Sequence, residues 1–303
     1  MDECYGGIEA GGTKFVCAVG TGPDDLIKIS FLTTNPEETL GCAAEFFREQ
    51  NAKRRISAIG IGSFGPIDLH RGSPTYGLIT STPKAGWADT DIVGKIESSL
   101  GVPVGFDTDV NAAALGEHRW GAGKDLTDFI YLTIGSGIGG GGLINGKLLH
   151  GLVHPEMGHI SIPRHPEDAY VGRCPFHNKI GLYNCFEGLA SGPAVEERWG
   201  QSPQNLSPDH KAWDLEAHYI SLALVTYICT LSPRRIVIGG GVMKQERLIT
   251  LIRDKVKKML NNYIQSSDIT DSIQEYIVLP GQGDNAGVLG AFELAKMELK
   301  PLR

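Results

Sequence analysis

Short runs of apolar and β-branched residues, most of them closing on glycine, alternate along this chain with longer stretches whose apolar positions fall at helical spacing. Residues 7–20, GIEAGGTKFVCAVG, predict two strands joined by a Gly-Gly turn, and residues 26–32 a third strand. Pro36 opens a helix whose Leu40, Ala43, Ala44 and Phe47 share one face. Residues 56–66, ISAIGIGSFGP, read as a buried strand entering a Gly/Ser/Pro loop. Asp91 is placed to cap a helix carrying Ile92, Val93, Ile96 and Leu100, and Gly101 to end it. Residues 102–121 then predict a strand, a polar corner and a helix.

The plan starts again at residue 128. DFIYLTIGSGIGGGGLINGKLL is strand, glycine turn and strand, followed by an Asn145-Gly146 turn of the hairpin type. Amphipathic helices are expected over 211–231 and 245–264, with the buried strand RRIVIGGG between them, and the chain ends in a loop and a last helix. Two matching hairpins about 120 residues apart predict an internally duplicated α/β fold with a cleft between its halves.

Composition narrows the function classes. The chain has 303 residues, 41% hydrophobic and 21% charged, enough for two domains of ordinary size and unlike a disordered protein. A net charge of -7 argues against a nucleic-acid or anionic-membrane partner. The first residues lack a signal-peptide pattern, and the longest apolar run is shorter than a membrane span, so a cytoplasmic location is expected. Six cysteines do not make a secreted disulfide framework; Cys4, Cys17, Cys42 and Cys229 fall in apolar patterns where buried, reduced thiols are expected. Forty glycines, clustered after the β-branched runs, mark tight turns or close approach of backbone to a ligand.

The chemistry concentrates between residues 154 and 187. Cys174-x-x-His177, with Cys185 downstream and His159 upstream, forms a four-ligand N/S set suited to tetrahedral zinc, and Glu156-x-x-His159 suits a sugar contact. The alternative is a solvated loop with buried cysteines. GSGIGG at 135–140 satisfies a dinucleotide fingerprint formally, but it leads into a second strand where a Rossmann loop must open a helix. No P-loop is present, since GGTK at residue 11 lacks the preceding spaced glycine. The two glycine turns, with Thr13 and Lys14 in one and Ser136 in the other, can still present N–H groups to phosphate oxygens, or be plain hairpins. GGGVMK at 239–244 ends a strand and enters a helix, which suits a purine or is only a tight turn. Asp107 and Asp109 flank a strand-to-helix corner; Asp109 suits a general base, and Asp107 reads as an N-cap. His150, His154, His165 and His210 read as surface or packing residues.

GIEAGGTKF, IGIGSFGP, TPKAGW, DVNAAALGE, TIGSGIGGG, HPEMGH, CPFH with CFEGLASGP, and VIGGGVM occur in this order over nearly the whole chain. Together they resemble the ROK family of sugar kinases, and most closely its zinc-containing bacterial fructokinase branch. The resemblance implies an actin-like (ribonuclease H-like) ATPase fold, with a smaller domain over 1–113 plus 284–303 and a larger one over 114–283. It implies ATP phosphates near Gly11, Gly12, Thr13, Lys14 and Thr133, and adenosine near Pro193 and Gly240, Gly241, Val242, Met243 and Lys244. Asp109 corresponds to the family's catalytic base, and Glu156, His159 and Glu187 to its sugar-binding positions, so that His159 is either zinc ligand or sugar contact. Thr108 and Lys84 stand where family glucokinases carry Asn, which favours fructose and makes Lys84 a substrate-facing residue. The gap between His177 and Cys185 is longer than relatives lead one to expect, leaving Cys185 the least settled ligand.

The expected activity is transfer of a phosphoryl group from ATP to the 6-hydroxyl of fructose by a homodimer, with Mg²⁺ and a structural Zn²⁺. Mannose, glucose and glucosamine are alternative acceptors, and a non-catalytic sugar-binding regulator is an alternative class. A sugar-responsive repressor would need a DNA-binding segment ahead of the first hairpin, for which the six residues before Gly7 leave no room.

Overall fold

The computed structural model of the protein describes residues 4–299. These divide into two compact units. The first holds the residues up to Asp125, the short return Leu148–Pro155 and the chain from Gly281 onward; the second holds Leu126–Lys147 and Glu156–Pro280. The chain therefore changes unit after Asp125, whereas a division at 113/114 falls inside a helix.

The first unit begins with strands β1 (Cys4–Ala10), β2 (Lys14–Gly20) and β3 (Ile27–Leu32), helix α1 (Pro36–Lys53) and strand β4 (Ile56–Ser63). The short strands β5 (Leu78–Ile79) and β6 (Thr90–Asp91), helix α2 (Ile92–Leu100), strand β7 (Val104–Thr108) and helix α3 (Asp109–Trp120) follow. Local chemistry sets these limits. The Asn35 side chain caps α1 by accepting from Glu38 N–H, Asp91 does the same for Gly94 N–H at the start of α2, and Gly101 ends α2 in the left-handed region.

The second unit has β8 (Phe129–Ile134), β9 (Ile138–Ile144), β10 (Lys147–Leu148), α4 (Phe186–Ala190), α5 (Gly192–Trp199) and α6 (Ala212–Leu231). It continues with β11 (Ile236–Gly239), α7 (Glu246–Leu260), α8 (Ser267–Thr270), α9 (Ile273–Tyr276) and β12 (Ile277–Val278). Helix α10 (Ala286–Glu298) returns to the first unit. Two expectations shift. Helix α7 stops at Leu260, short of 264, because Asn261 takes a left-handed conformation. Gly241–Lys244 forms a separate 3-10 turn, so the helix proper begins at Glu246 and not directly on the glycines.

The duplicated plan is explicit in the strand orders, β3-β2-β1-β4-β7 in one sheet and β10-β9-β8-β11-β12 in the other. In both, an antiparallel hairpin (β1/β2 or β8/β9) joins parallel strands (β4 and β7, or β11 and β12). The first sheet buries Ile8, Phe15, Ile59 and Ile61 with Phe47 and Trp87 in one cluster, and Tyr5, Val16, Ala18 and Ala58 against Val288, Leu289 and Phe292 of α10 in another. At Gly290 a Cβ would overlap the carbonyl oxygen of Ala112, so α10 can lie against α3 only through a residue without a side chain. The second unit has one large core, running from Ile130, Leu132 and Ile134 through Trp213, Tyr219 and Leu224 to Ile252 and Ile277.

Cys42 and Cys229 are exposed, against the expectation of burial, because each lies on the solvent side of its helix; Cys4 and Cys17 are buried. Among the described residues no helix is long and apolar enough to cross a membrane.

Candidate active site and metal cluster

In the first unit the β1–β2 turn is closed by Gly11 N–H donating to Lys14 O at 3.0 Å, and it is braced from β3 by Thr33, which donates its N–H to Thr13 O and its hydroxyl to Gly11 O. Gly12 has open space where a Cβ would be, and Thr13 and Lys14 are exposed, so this turn offers backbone N–H groups and one ammonium to a ligand. Glu9 ends β1 just before it. Burial pushes the Glu9 carboxyl up to about 7 despite the nearby Lys14, and its Oε2 is buried without a hydrogen-bond partner. Such an oxygen suits a hard divalent cation of the kind that travels with ATP. Nothing in sequence periodicity distinguishes Glu9 from an ordinary strand residue; its signal is its place immediately ahead of the glycine turn.

The β7–α3 corner departs from the expected arrangement. Thr108 is the N-cap, its hydroxyl accepting from Asn111 N–H at 3.1 Å, and Asp109 is the first residue of the helix. Asp107, expected as the cap, is buried and accepts from Thr108 N–H, from Asn111 Nδ2 and from His150 Nε2, each at 2.8 Å. His150 is thus no idle surface histidine, and the Asp107 beside it holds its pKa above the ordinary value. His154 packs, as expected, and its Nε2 also accepts from Ile67 N–H at 3.0 Å. Lys84, expected to face substrate, donates its Nζ to Thr33 O at 3.2 Å, and Trp87 Nε1 donates to Thr34 O at 2.8 Å, so the TPKAGW loop is tied to the chain leaving β3.

In the second unit the β8–β9 turn folds on itself through Gly135 N–H to Gly137 O at 2.9 Å, and Gly192 N–H, at the start of α5, donates to Gly135 O at 2.7 Å. Pro193 follows as the second residue of that helix. Gly240 has φ 96° and lies so close to Ile134 that a Cβ would strike its backbone. These contacts bring the backbone of Ile134, Gly135, Gly192, Gly240 and Gly241 together, with Thr133 and Pro193 as their neighbours in sequence. The side chains of Val242 and Met243 are buried in the core, so only their backbone can meet a ligand.

The stretch from Glu156 to Glu187 makes the second feature of this unit. Nδ1 of His159 lies 3.8 Å from Cys174 Sγ and 3.5 Å from Cys185 Sγ, and His177 Nδ1 lies 3.1 Å from Cys174 Sγ. One ligand atom from each of the four residues falls within 4.8 Å of the others. Bonds of about 2.0–2.3 Å to a tetrahedral ion put neighbouring donors some 3.3–3.8 Å apart, so the set fits a four-coordinate zinc-like cation. The long gap before Cys185 closes by a 3-10 turn, Asn178–Ile180, and a left-handed Gly181. Cys185 is then seated by a β-bridge to Ser161 and by Phe186 N–H donating to Ile160 O. A buried ion pair anchors the segment from behind, with Arg198 Nη2 3.2 Å from Asp168 Oδ2 and Tyr219 Oη donating to the same oxygen at 2.6 Å.

His159 presents its other nitrogen, Nε2, to Glu187 Oε1 at 3.8 Å, while Glu187 Oε2 accepts from Ile138 N–H at 2.9 Å. The imidazole is therefore turned with Nδ1 toward the sulfurs, the orientation of a metal ligand with a carboxylate behind it. Glu156 keeps solvent contact, yet the protein around it, with the like charge of Glu187 adding to the effect, pushes its carboxyl up to about 7.

A family model described as "ROK family" matches residues 5–298. The chain belongs to the ROK family. Its ROK relatives include the fructokinase of Lactococcus lactis subsp. cremoris, 45% identical over 298 residues, 97% of this chain and 98% of that one. The fructokinase of Zymomonas mobilis is 44% identical over 299 residues, 97% and 96% of the two chains. The glucokinase of Streptomyces coelicolor stands further off, at 26% over 329 residues. Among solved structures, the ROK hexokinase from Thermus thermophilus superposes with a TM-score of 0.77 at 28% identity, covering 98% of this chain and 99% of that one. The repeated sheets of the ROK chain accordingly form an actin-like ATPase fold, and the protein is a sugar kinase.

Proposed function

We infer that the protein transfers the terminal phosphoryl group of ATP to fructose, giving fructose 6-phosphate. The observation that carries the sugar is the spread among relatives, which are fructokinases at 40–45% identity over nearly full length and glucokinases only at 26%.

In this reading Asp109 is the general base. It sits at the first residue of α3, where the helix N-terminus favours the ionised carboxylate, and it accepts the proton of the sugar hydroxyl as the oxygen attacks phosphorus. Gly11, Gly12, Thr13, Lys14 and Thr133 hold the phosphates through N–H groups, hydroxyls and one ammonium, which stabilise charge on the transferring group. Pro193 and the backbone of residues 240–244 hold the adenosine. Glu156 and Glu187 take sugar hydroxyls. Lys84, tied to Thr33 O, shapes the acceptor loop, a more indirect part than a sugar contact. Mg²⁺ would be held by the ATP phosphates and the Glu9 carboxylate, and supplies neutralisation of phosphate charge. Zn²⁺ would be held by His159, Cys174, His177 and Cys185 with no open position, and fixes the loop that carries Glu156. The enzyme works as a cytoplasmic homodimer, which fractionation and light scattering test directly.

ADP release measured across fructose, mannose, glucose and glucosamine tests the acceptor; fructose has the highest kcat/KM, and a better hexose would replace it. Asp109→Asn lowers kcat by orders of magnitude while ATP and sugar still bind; near-normal turnover would end the assignment of the base.

A further inference from the structure

One carboxylate, Asp107, collects three donors around the turn that carries Asp109. It is 3% exposed, and its Oδ1 accepts from Thr108 N–H and Asn111 Nδ2, both at 2.8 Å. Its Oδ2 faces His150 Nε2, also at 2.8 Å, and Asn111 Nδ2 stands 3.3 Å from the same imidazole nitrogen. Asn111 is completely buried and lies two residues past Asp109, within the first turn of α3. The imidazole thus closes a ring whose other members flank Asp109 on both sides in sequence.

Without His150 the Oδ1 of Asp107 keeps its two donors but Oδ2 loses the imidazole, and a buried carboxylate oxygen left without a donor either draws in water or turns toward another one. Here either response would pull on Thr108 or Asn111 and so move the residue between them. A base displaced by a fraction of an ångström from its acceptor loses rate steeply, about 10²-fold for 1 Å. The Leu148–Pro155 return is the piece of chain that brings the imidazole to this corner.

We propose that His150 is a positioning residue for Asp109, holding the first turn of α3 through Asp107 and Asn111. The proposal rests on the reading of Asp109 as the general base. His150 touches neither sugar nor ATP in this account. Its side chain is 43% exposed, so a small molecule can reach the space it fills.

The test is a kinetic set on the full-length protein. His150→Ala lowers kcat about tenfold or more, leaves the KM values for sugar and ATP within about twofold, and recovers part of kcat when imidazole is added. His150→Gln, whose amide nitrogen can replace the Nε2 donor, recovers most of kcat. His150→Ala introduced into Asp109→Asn causes little further loss, because its effect runs through a base already removed. Unchanged kcat in His150→Ala would overturn the proposal. So would a loss that neither imidazole nor Gln relieves, or a loss that recurs in full on the Asp109→Asn background. If Asp109→Asn itself retains turnover, the base reading fails independently of how His150→Ala behaves.

Discussion

The carboxylate of Glu187 accepts the N–H of Ile138 at 2.9 Å, and so hangs the glycine turn of the second hairpin on the helix that follows the His/Cys cluster. The same side chain faces His159 Nε2 at 3.8 Å, which makes it a joint between the cluster and the turn. Both attachments lie within one compact unit and depend on two oxygens of one residue.

Glu187→Gln keeps the size but loses the charge, and its amide cannot serve both attachments as an acceptor. Partners of metal-bound histidines are worth about 10–100-fold in affinity. Zinc affinity, read by competition with a chromophoric chelator, is expected to fall by about tenfold or more, together with kcat. Zinc held as tightly as by the unaltered protein would show that this carboxylate does not orient His159.

Cys174 is buried and faces both histidines of the cluster. Cys174→Ser removes a soft ligand while changing little else, and it should abolish stoichiometric zinc in the purified protein. Because binding energy at a structural site is also folding energy, the thermal midpoint should fall by about 5 °C or more. The unaltered protein treated with a strong chelator should show the same fall. Elemental analysis and calorimetry on the two samples check this, and a Cys174→Ser protein of full stability would remove the structural role.

Gly240 is held at φ 96° with no room for a Cβ beside the backbone of Ile134. Gly240→Ala adds backbone strain and a collision with an immovable carbonyl, together about 2–4 kcal/mol of stability. Where the variant remains folded, its KM for ATP should rise more than its KM for fructose, since the proposed adenosine site includes the turn it distorts. Urea denaturation and initial rates measure the two effects.

Glu9 makes a pH prediction with a definite sign. Its carboxyl titrates near 7 in the fold against an ordinary value of 4.5, raised first of all by burial. Folding therefore favours the protonated form. The contribution is fully present below about 4.5 and is lost as pH rises through about 7, by roughly 1–3 kcal/mol. Glu9→Gln removes this dependence. Between pH 5 and pH 8, without ATP or divalent cations, the stability of the unaltered protein should decline relative to the variant; parallel curves would contradict a raised Glu9.

Much of this was legible in the chain itself, for identifiable physical reasons. Apolar periodicity and glycine placement carried both hairpins, α2 with its Asp91 cap and Gly101 stop, and the repetition that the two sheets display. Spacing of N and S donors singled out His159, Cys174, His177 and Cys185, whose potential ligand atoms the fold gathers within 4.8 Å of one another. What sequence did not carry depends on partners far along the chain. Asp107 looked like a cap because it stands at a strand-to-helix corner; one of its three partners, His150, is 43 residues away. Lys84 looked substrate-facing by position, and only the fold shows its ammonium against Thr33 O. The orientation of His159 was undecidable until both of its ring nitrogens had neighbours.

Helix α10 supplies Val288, Leu289 and Phe292 to one face of the first sheet, against Tyr5, Val16, Ala18 and Ala58. During synthesis that face stays bare while more than half of the chain is still being made. The second unit, apart from the Leu148–Pro155 excursion, is complete at Pro280 and can bury its own core before α10 emerges. The packing of α10 on that face can therefore form only after the whole second unit has been made, although the strands it covers are among the first of the chain.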